Sequence, residues 1–344
     1  MLHFENDYLQ GAHPAVLQAL MASNEENLPG YGADAYGAKL QDRLREILAC
    51  SQAQVRLVAG GTQANALVID MLLDDTEGVL APDTGHVAVH EAGAIEHSRH
   101  KVITIPAQAG KLDASLARTY LENFYADETH PHMVFPGMIY ISQPTEYGGL
   151  YSKAELEALA KLCQDYQIPL FVDGARLIYG LASPQNDVSL ADLAQLADVF
   201  YIGGTKVGLL LGEALVFTKN NLPKRFDTLI KQRGALLAKG RVLSVQFEAL
   251  FKDRLYLDIA QDNARHSQRL TQILHQTGFE FYLDSPTNQQ FICLSKDQYD
   301  QLKEQVGMSY FGLDDKGQVV ARLATAWFTT DADLDQLENL LRSL

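Results

Sequence analysis

The sequence predicts an α/β fold: a large three-layer domain on a mainly parallel, mixed sheet, followed by a smaller C-terminal α/β domain. Three observations carry this. Short apolar runs such as Pro169-Leu-Phe-Val-Asp173 and Asp198-Val-Phe-Tyr-Ile202 read as buried strands that break at glycines. Helical periodicities separate most of these runs, and strand–helix–strand units need right-handed crossovers that leave the strands parallel. From about Leu222 the pattern turns mainly helical before two late strands. The expected division is an N-terminal arm (1–20), a large domain (21–243) and a small domain (244–344).

Taken in order, Pro14 to Ser23 sets Val16, Leu17, Leu20 and Met21 on one helical face. The loop Gly30-Tyr31-Gly32 precedes a second helix, capped by Asp34, with Tyr36, Leu40, Leu44, Ile47 and Leu48 as its stripe. A strand at Val55–Val58 runs into Gly60-Gly61-Thr62 and a helix through Leu73. Strands are predicted at Val79–Ala81, Val102–Ile105 and Met138–Ser142, with helices at Asp113–Tyr125 and Lys153–Tyr166. Beyond Leu222 come helices at Pro223–Leu237, Val242–Phe251 and Ile259–His275, strands at Gln290–Leu294 and Val319–Ala324, and a closing amphipathic helix, Asp331–Leu344.

Composition narrows the function. The chain has 344 residues, 47% hydrophobic and 21% charged, which suits a globular enzyme of two domains or one large one. A net charge of −15 argues against nucleic acid or an anionic membrane as partner. The apolar run Val207–Phe217 falls short of the ~18 residues of a membrane span and contains Glu213. The acidic N-terminal stretch carries no signal-peptide pattern. Cys50, Cys163 and Cys293 are scattered, which fits neither a disulfide framework nor a zinc site. The expected location is cytoplasmic, and no metal is expected.

The chemistry concentrates where strands end, because side chains and loop amides converge there in a parallel sheet. Asp173-Gly174-Ala175-Arg176 places a carboxylate and an arginine after one strand; Gly203-Gly204-Thr205-Lys206 places a lysine after the next. A lysine for a Schiff base, a carboxylate for a protonated ring nitrogen and an arginine for a substrate carboxylate fit an enzyme that holds pyridoxal phosphate. A carboxylate at Asp173 is expensive to bury without a cationic partner. Gly60-Gly61-Thr62, between a strand and a helix, suits a phosphate monoester, although a glycine pair also starts helices for structural reasons alone. It matches neither the P-loop nor the dinucleotide-binding pattern. His86 and His90 lie among small residues, where an imidazole can stack on a ring or act as base, or can simply be solvated.

These segments, in this order, resemble the threonine aldolases within the β-eliminating lyases, which have the aspartate-aminotransferase (type I) pyridoxal-phosphate fold. The likeness rests on Tyr31-Gly32, Gly60-Gly-Thr-Gln-Ala-Asn65, His86 with Glu91-Ala-Gly93, Asp173-Gly-Ala-Arg176, Lys206 and Arg322, and covers nearly the whole chain. It implies that Lys206, beside Thr205, holds the cofactor, that Asp173 keeps the ring nitrogen protonated, and that His86 stacks on the ring. Gly60, Gly61 and Thr62 would hold the phosphate, helped by Arg241 or Lys239 of a neighbouring subunit. Arg176 and Arg322 would grip the substrate carboxylate, and Tyr31 would line the site from a partner. A homo-oligomer with shared sites, dimer or tetramer, is therefore expected.

Three segments depart from the family pattern. Arg-Ser-Asp-Thr is here Glu5-Asn6-Asp7-Tyr8, which puts Asn6 where a serine meets the substrate carboxylate. The glycine-rich loop before the intersubunit arginine is Ala235-Leu-Leu-Ala-Lys239-Gly240-Arg241. Thr-His-Asn-Gly is Thr145-Glu146-Tyr147-Gly148, which puts Glu146 where a histidine contacts the β-hydroxyl. The expected activity is cleavage of a small L-β-hydroxy-α-amino acid to glycine and an aldehyde. β-Elimination on another L-amino acid, and a cofactor-binding relative without turnover, remain as alternatives.

Overall fold

A computed structural model describes residues 1–343. Residue 344, the last of the predicted closing helix, lies outside them; the helix is described as Asp331–Arg342.

The large domain is built on a seven-stranded sheet. Its order is Gln54–Val58, Glu213–Phe217, Val199–Gly203, Leu170–Asp173, Phe135–Ser142, Glu77–Pro82 and Val102–Ile105. Every strand except Glu213–Phe217 runs the same way, so the sheet is mixed but mainly parallel. Leu170–Asp173 and Val199–Gly203 are buried at each position, because helices cover both faces. Glu213–Phe217 is buried throughout as well. The sequence reading placed no strand there, because an unbroken apolar run shows no period of two.

The helices start where polar caps allow. The Asp34 carboxylate accepts the Gly37 N–H at 2.9 Å, and the helix Ala35–Ile47 buries Leu40 and Leu44. A reciprocal Ser152–Glu155 capping box opens Lys153–Tyr166; such a cap contributes about 1 kcal/mol. The helix predicted from Pro223 to Leu237 is shorter, Phe226–Gln232. Arg225 (φ 66°) before it and Gly234 (φ 71°) after it take left-handed conformations that do not continue a helix. In Pro14–Ala22 only Val16 is buried, while Leu17 and Met21 face outward.

A four-stranded antiparallel sheet forms the second domain, in the order Ser309–Leu313, Val319–Ala324, Gln289–Leu294 and Glu280–Leu283. The two outer strands were not foreseen, because none of their residues is fully buried and their apolar pattern is weak. The expected boundary at 243/244 falls inside the helix Arg241–Phe251. Phe247, Leu250, Phe251 and Ile259 belong to the large core, whereas Leu270, Ile273 and Leu274 pack on the second sheet's residues. The N-terminal arm reaches across. Leu2–His3 pairs in parallel with Val306–Gly307, and Phe4 is buried in the small core.

Candidate active site

One edge of the large sheet gathers the C-terminal ends of its parallel strands and the start of the reversed strand. There Gly60, Gly61, Thr62, His86, Glu146, Asp173, Arg176, Thr205 and Lys206 line a cavity of about 550 Å³. The second domain closes it with Ser309, Tyr310, Phe311 and Arg322, and the N-terminal arm with Tyr8. Nine of the sequence-selected residues thus come together from five strand ends, with Arg322 as a tenth from the small domain.

Asp173 sits at the base, 4% exposed. Its Oδ1 accepts the Tyr201 hydroxyl at 2.5 Å and the Ala175 N–H at 3.0 Å; its Oδ2 accepts the Tyr140 hydroxyl at 2.6 Å and the Asn65 amide at 3.0 Å. Burial alone would raise its pKa, but the His86 charge and these donors hold the carboxyl below its usual value. All four donors are neutral groups. The result is an ionised carboxylate, buried, that can still take a cation.

His86 is held from below and behind. Its Nδ1 meets Glu91 Oε1 at 2.8 Å, and Asn65 Nδ2 donates to that same oxygen at 2.7 Å. Burial disfavours the charged ring, yet the bond to Glu91 and the Asp173 and Glu91 charges raise its pKa above the ordinary value. Glu146 Oε1 accepts the His86 backbone N–H at 3.0 Å and the Ser142 hydroxyl at 2.6 Å. Its Oε2 is buried and makes no hydrogen bond. Burial pushes this carboxyl up, opposed by the Ser142 bond and reinforced by Asp173.

The two arginines differ. Arg176 was expected to be free for a substrate carboxylate, but its Nε and Nη2 donate to Asp7 Oδ2 and Oδ1 at 2.6 and 2.9 Å. Asn288 of the second domain donates to the same Asp7 Oδ2 at 3.0 Å. Arg322 uses Nη1 on Gln289 Oε1 and Nη2 on Ser309 Oγ and the Glu5 carbonyl, while its buried Nε has no partner. Burial, then the Arg176 charge, brings the Arg322 pKa down to about 10.

Asn6, Tyr31, Lys239 and Arg241, all selected from the sequence, lie outside this cavity in the single chain. The Asn6 side chain accepts its neighbour Tyr8's N–H. Tyr31 is exposed, with the Lys231 amine 4.5 Å from its ring centroid. Arg241 donates to the carbonyls of Glu26 and Asn24. The sequence reading did not single out Tyr140, Tyr201, Asp7 or Glu213 for the site. A hydroxyl on an otherwise apolar strand was the available signal for the two tyrosines.

The residues fit pyridoxal phosphate. Asp173 offers a buried anion for a protonated ring nitrogen. Burial and Arg176 lower the Lys206 pKa, which favours the neutral, nucleophilic amine. The helix Gly61–Leu72 begins at the cavity with Gly60 and no side-chain cap, so its first N–H groups are available to a phosphate. Fold and site therefore define a pyridoxal-phosphate enzyme of the aspartate-aminotransferase type. The chain belongs to the beta-eliminating lyase family, whose model matches residues 5–297, and is a pyridoxal-phosphate-dependent lyase.

The relatives agree. A threonine aldolase structure from Leishmania major superposes with a TM-score of 0.95 at 37% identity, covering 100% of this chain and 99% of that one. A low specificity L-threonine aldolase from Pseudomonas sp. is 29% identical over 99% of this chain and 97% of its own length. Aspartate aminotransferase from Thermus thermophilus shares the fold, with a TM-score of 0.72 at 15% identity over 100% of this chain and 91% of its own.

Proposed function

We propose that the protein cleaves the Cα–Cβ bond of a small L-β-hydroxy-α-amino acid, threonine or a close analogue, to glycine and an aldehyde. The observation that carries this is Glu146 Oε2: a buried carboxylate oxygen without a partner, in the same cavity as Lys206 and Asp173. A β-hydroxyl can donate to it. The likeness to the two threonine aldolases supports the same substrate class.

In this reading Lys206 holds the cofactor through its amine, Asp173 keeps the ring nitrogen charged, and the N–H groups at Gly60–Thr62 hold the phosphate. The cofactor, when bound, supplies the sink for the electrons of the broken bond. Arg322 Nε takes the substrate carboxylate, and Arg176, steadied by Asp7, adds positive charge beside it. Glu146 Oε2 removes the β-hydroxyl proton, so that the O–H bond breaks as the aldehyde C=O forms and Cβ leaves Cα. A positioned base of this kind contributes about 10²- to 10⁴-fold. The test is product analysis with a panel of L-amino acids: glycine and an aldehyde are expected, whereas a 2-oxo acid and ammonia (pyruvate from a three-carbon substrate) would mean β-elimination.

We also infer a homo-oligomer, dimer or tetramer, with sites shared between subunits. Tyr31 and the outward-facing Leu17 and Met21 are exposed and available to a second copy. A cytoplasmic location is part of the proposal, supported by three unpaired cysteines.

A further inference from the structure

Glu213 is a buried acid of the cavity to which the proposed reaction assigns no role. It opens the reversed strand, opposite Val58 on one side and Gly203 on the other. It therefore stands where the strand before Gly60-Gly61 and the strand before Lys206 come together. Its Oε2 accepts the Gly204 N–H at 3.2 Å and its Oε1 the Thr205 hydroxyl at 2.9 Å; Thr205 Oγ1 in turn accepts the Gly212 N–H at 3.0 Å. Gly204 leaves no slack on the other side, since a Cβ there would lie 2.4 Å from Leu209 Cδ1 and 2.8 Å from the Gly212 carbonyl oxygen. The turn that carries Lys206 is thus tied by the Glu213 carboxylate, alongside the Gly212 carbonyl, which accepts the Gly204 N–H at 2.9 Å, and the Tyr179 hydroxyl, which donates to the Lys206 carbonyl at 2.7 Å.

Burial pushes the Glu213 carboxyl up to about 8, against the Thr205 bond and the Lys206 charge, while Asp173 pushes it further. On the Lys206 amine, burial and Arg176 favour proton loss, and Asp7, Asp173 and Glu213 favour proton retention. Of these three acids, Asp7 is occupied by Arg176 and Asp173 by its four donors. Glu213 is the acid bonded to the lysine's own turn.

We propose that Glu213 is the positioning residue of Lys206, fixing the turn that presents the amine and balancing the amine's charge. This rests on Lys206 being the amine that takes the cofactor. Both side chains line the same buried cavity, where the Glu213 charge favours the protonated amine.

The test is made on the full-length chain, stripped of cofactor and shown to rebind it. The pH dependence of Lys206 modification by an amine-reactive reagent is read by mass spectrometry of its peptide. In Glu213→Gln the midpoint should fall by roughly one to two pH units, since an anionic neighbour is lost while the shape is kept. In Glu213→Asp, which keeps the charge but cannot reach both donors, the midpoint should stay near wild type while cofactor affinity drops several-fold. A Glu213→Gln midpoint equal to wild type would overturn the proposal and leave Glu213 as a structural tie. If Glu213→Gln does not fold, Glu213→Asp decides: undiminished cofactor affinity overturns the proposal. Trapping of rebound cofactor on Lys206 is scored separately, so failure of the parent reading shows as loss of that adduct in the wild-type chain.

Discussion

Asp7 and Arg176 meet through both oxygens of one carboxylate, with Nε to Oδ2 at 2.6 Å and Nη2 to Oδ1 at 2.9 Å, and Asp7 is fully buried. A two-point pair of this kind fixes the plane of the guanidinium. It ties the N-terminal arm to the large domain, and Asn288 ties the same carboxylate to the small one. In the proposed reading the substrate carboxylate then falls chiefly to Arg322, whose buried Nε has no hydrogen-bond partner.

Asp7 carries a stability signature in acid. Burial alone would raise its pKa, but Arg176, Lys206 and Asn288 together hold it at about 2, below the ordinary 3.8. A depressed carboxylate stabilises the fold above its unfolded pKa and loses that stability as pH falls through its folded value. The contribution is about 2 kcal/mol, present above pH ~4 and lost towards pH ~2. Denaturation of wild type across that window should be steeper than that of Asp7→Asn, which should also be less stable at pH 7. Parallel acid limbs in the two proteins would contradict the assignment.

Arg322→Ala should weaken substrate binding by about 2–5 kcal/mol, the cost of removing one charged partner of a carboxylate, while cofactor retention stays at the wild-type level. Arg176→Ala should raise KM too, and should also destabilise the fold by leaving Asp7 buried and unpaired. Substrate affinity unaltered in both variants would mean that neither arginine holds the substrate carboxylate.

Glu146→Gln should remove most of the aldol cleavage, about 10²- to 10⁴-fold, with the absorbance of the bound cofactor unchanged. Burial raises the Glu146 carboxyl pKa, and a base works only when ionised. Turnover should therefore fall on an acid limb lying above the ordinary glutamate range, and that limb should vanish in Glu146→Gln. Glu146→His should raise activity on threonine-like substrates. If both variants match wild type across the amino-acid panel, Glu146 is a bystander.

Asp173→Asn should leave the fold intact, because an amide oxygen in place of Oδ1 still accepts the Tyr201 hydroxyl and the Ala175 N–H, and the Tyr140 hydroxyl can turn to accept from the amide nitrogen. It should lower turnover by orders of magnitude, since the charge opposite the ring nitrogen is gone. Turnover close to wild type would show that Asp173 is not that partner.

Much of this was legible in the sequence, for physical reasons. Asp173 and Lys206 stood out because charges at the ends of apolar strands need an explanation that packing does not provide. The parallel strands stood out because burial on both faces leaves unbroken apolar runs. Glu213–Phe217 was hidden by that same property, since it runs on from the apolar stretch before it with no period of its own. Tyr140 and Tyr201 were hidden because an aromatic residue on a strand reads as core, and only the fold aims their hydroxyls at Asp173. The partner of Arg176 lies 169 residues away, in the arm. No local pattern links two such positions.

Borohydride reduction of the cofactor-loaded protein, followed by peptide mapping, tests the central claim most directly. The account predicts a yellow protein in which reduction fixes one pyridoxyl group, on Lys206, and in which Lys206→Ala takes up no covalent label. A colourless protein that captures no added pyridoxal phosphate, or a label fixed on a different lysine, would contradict it.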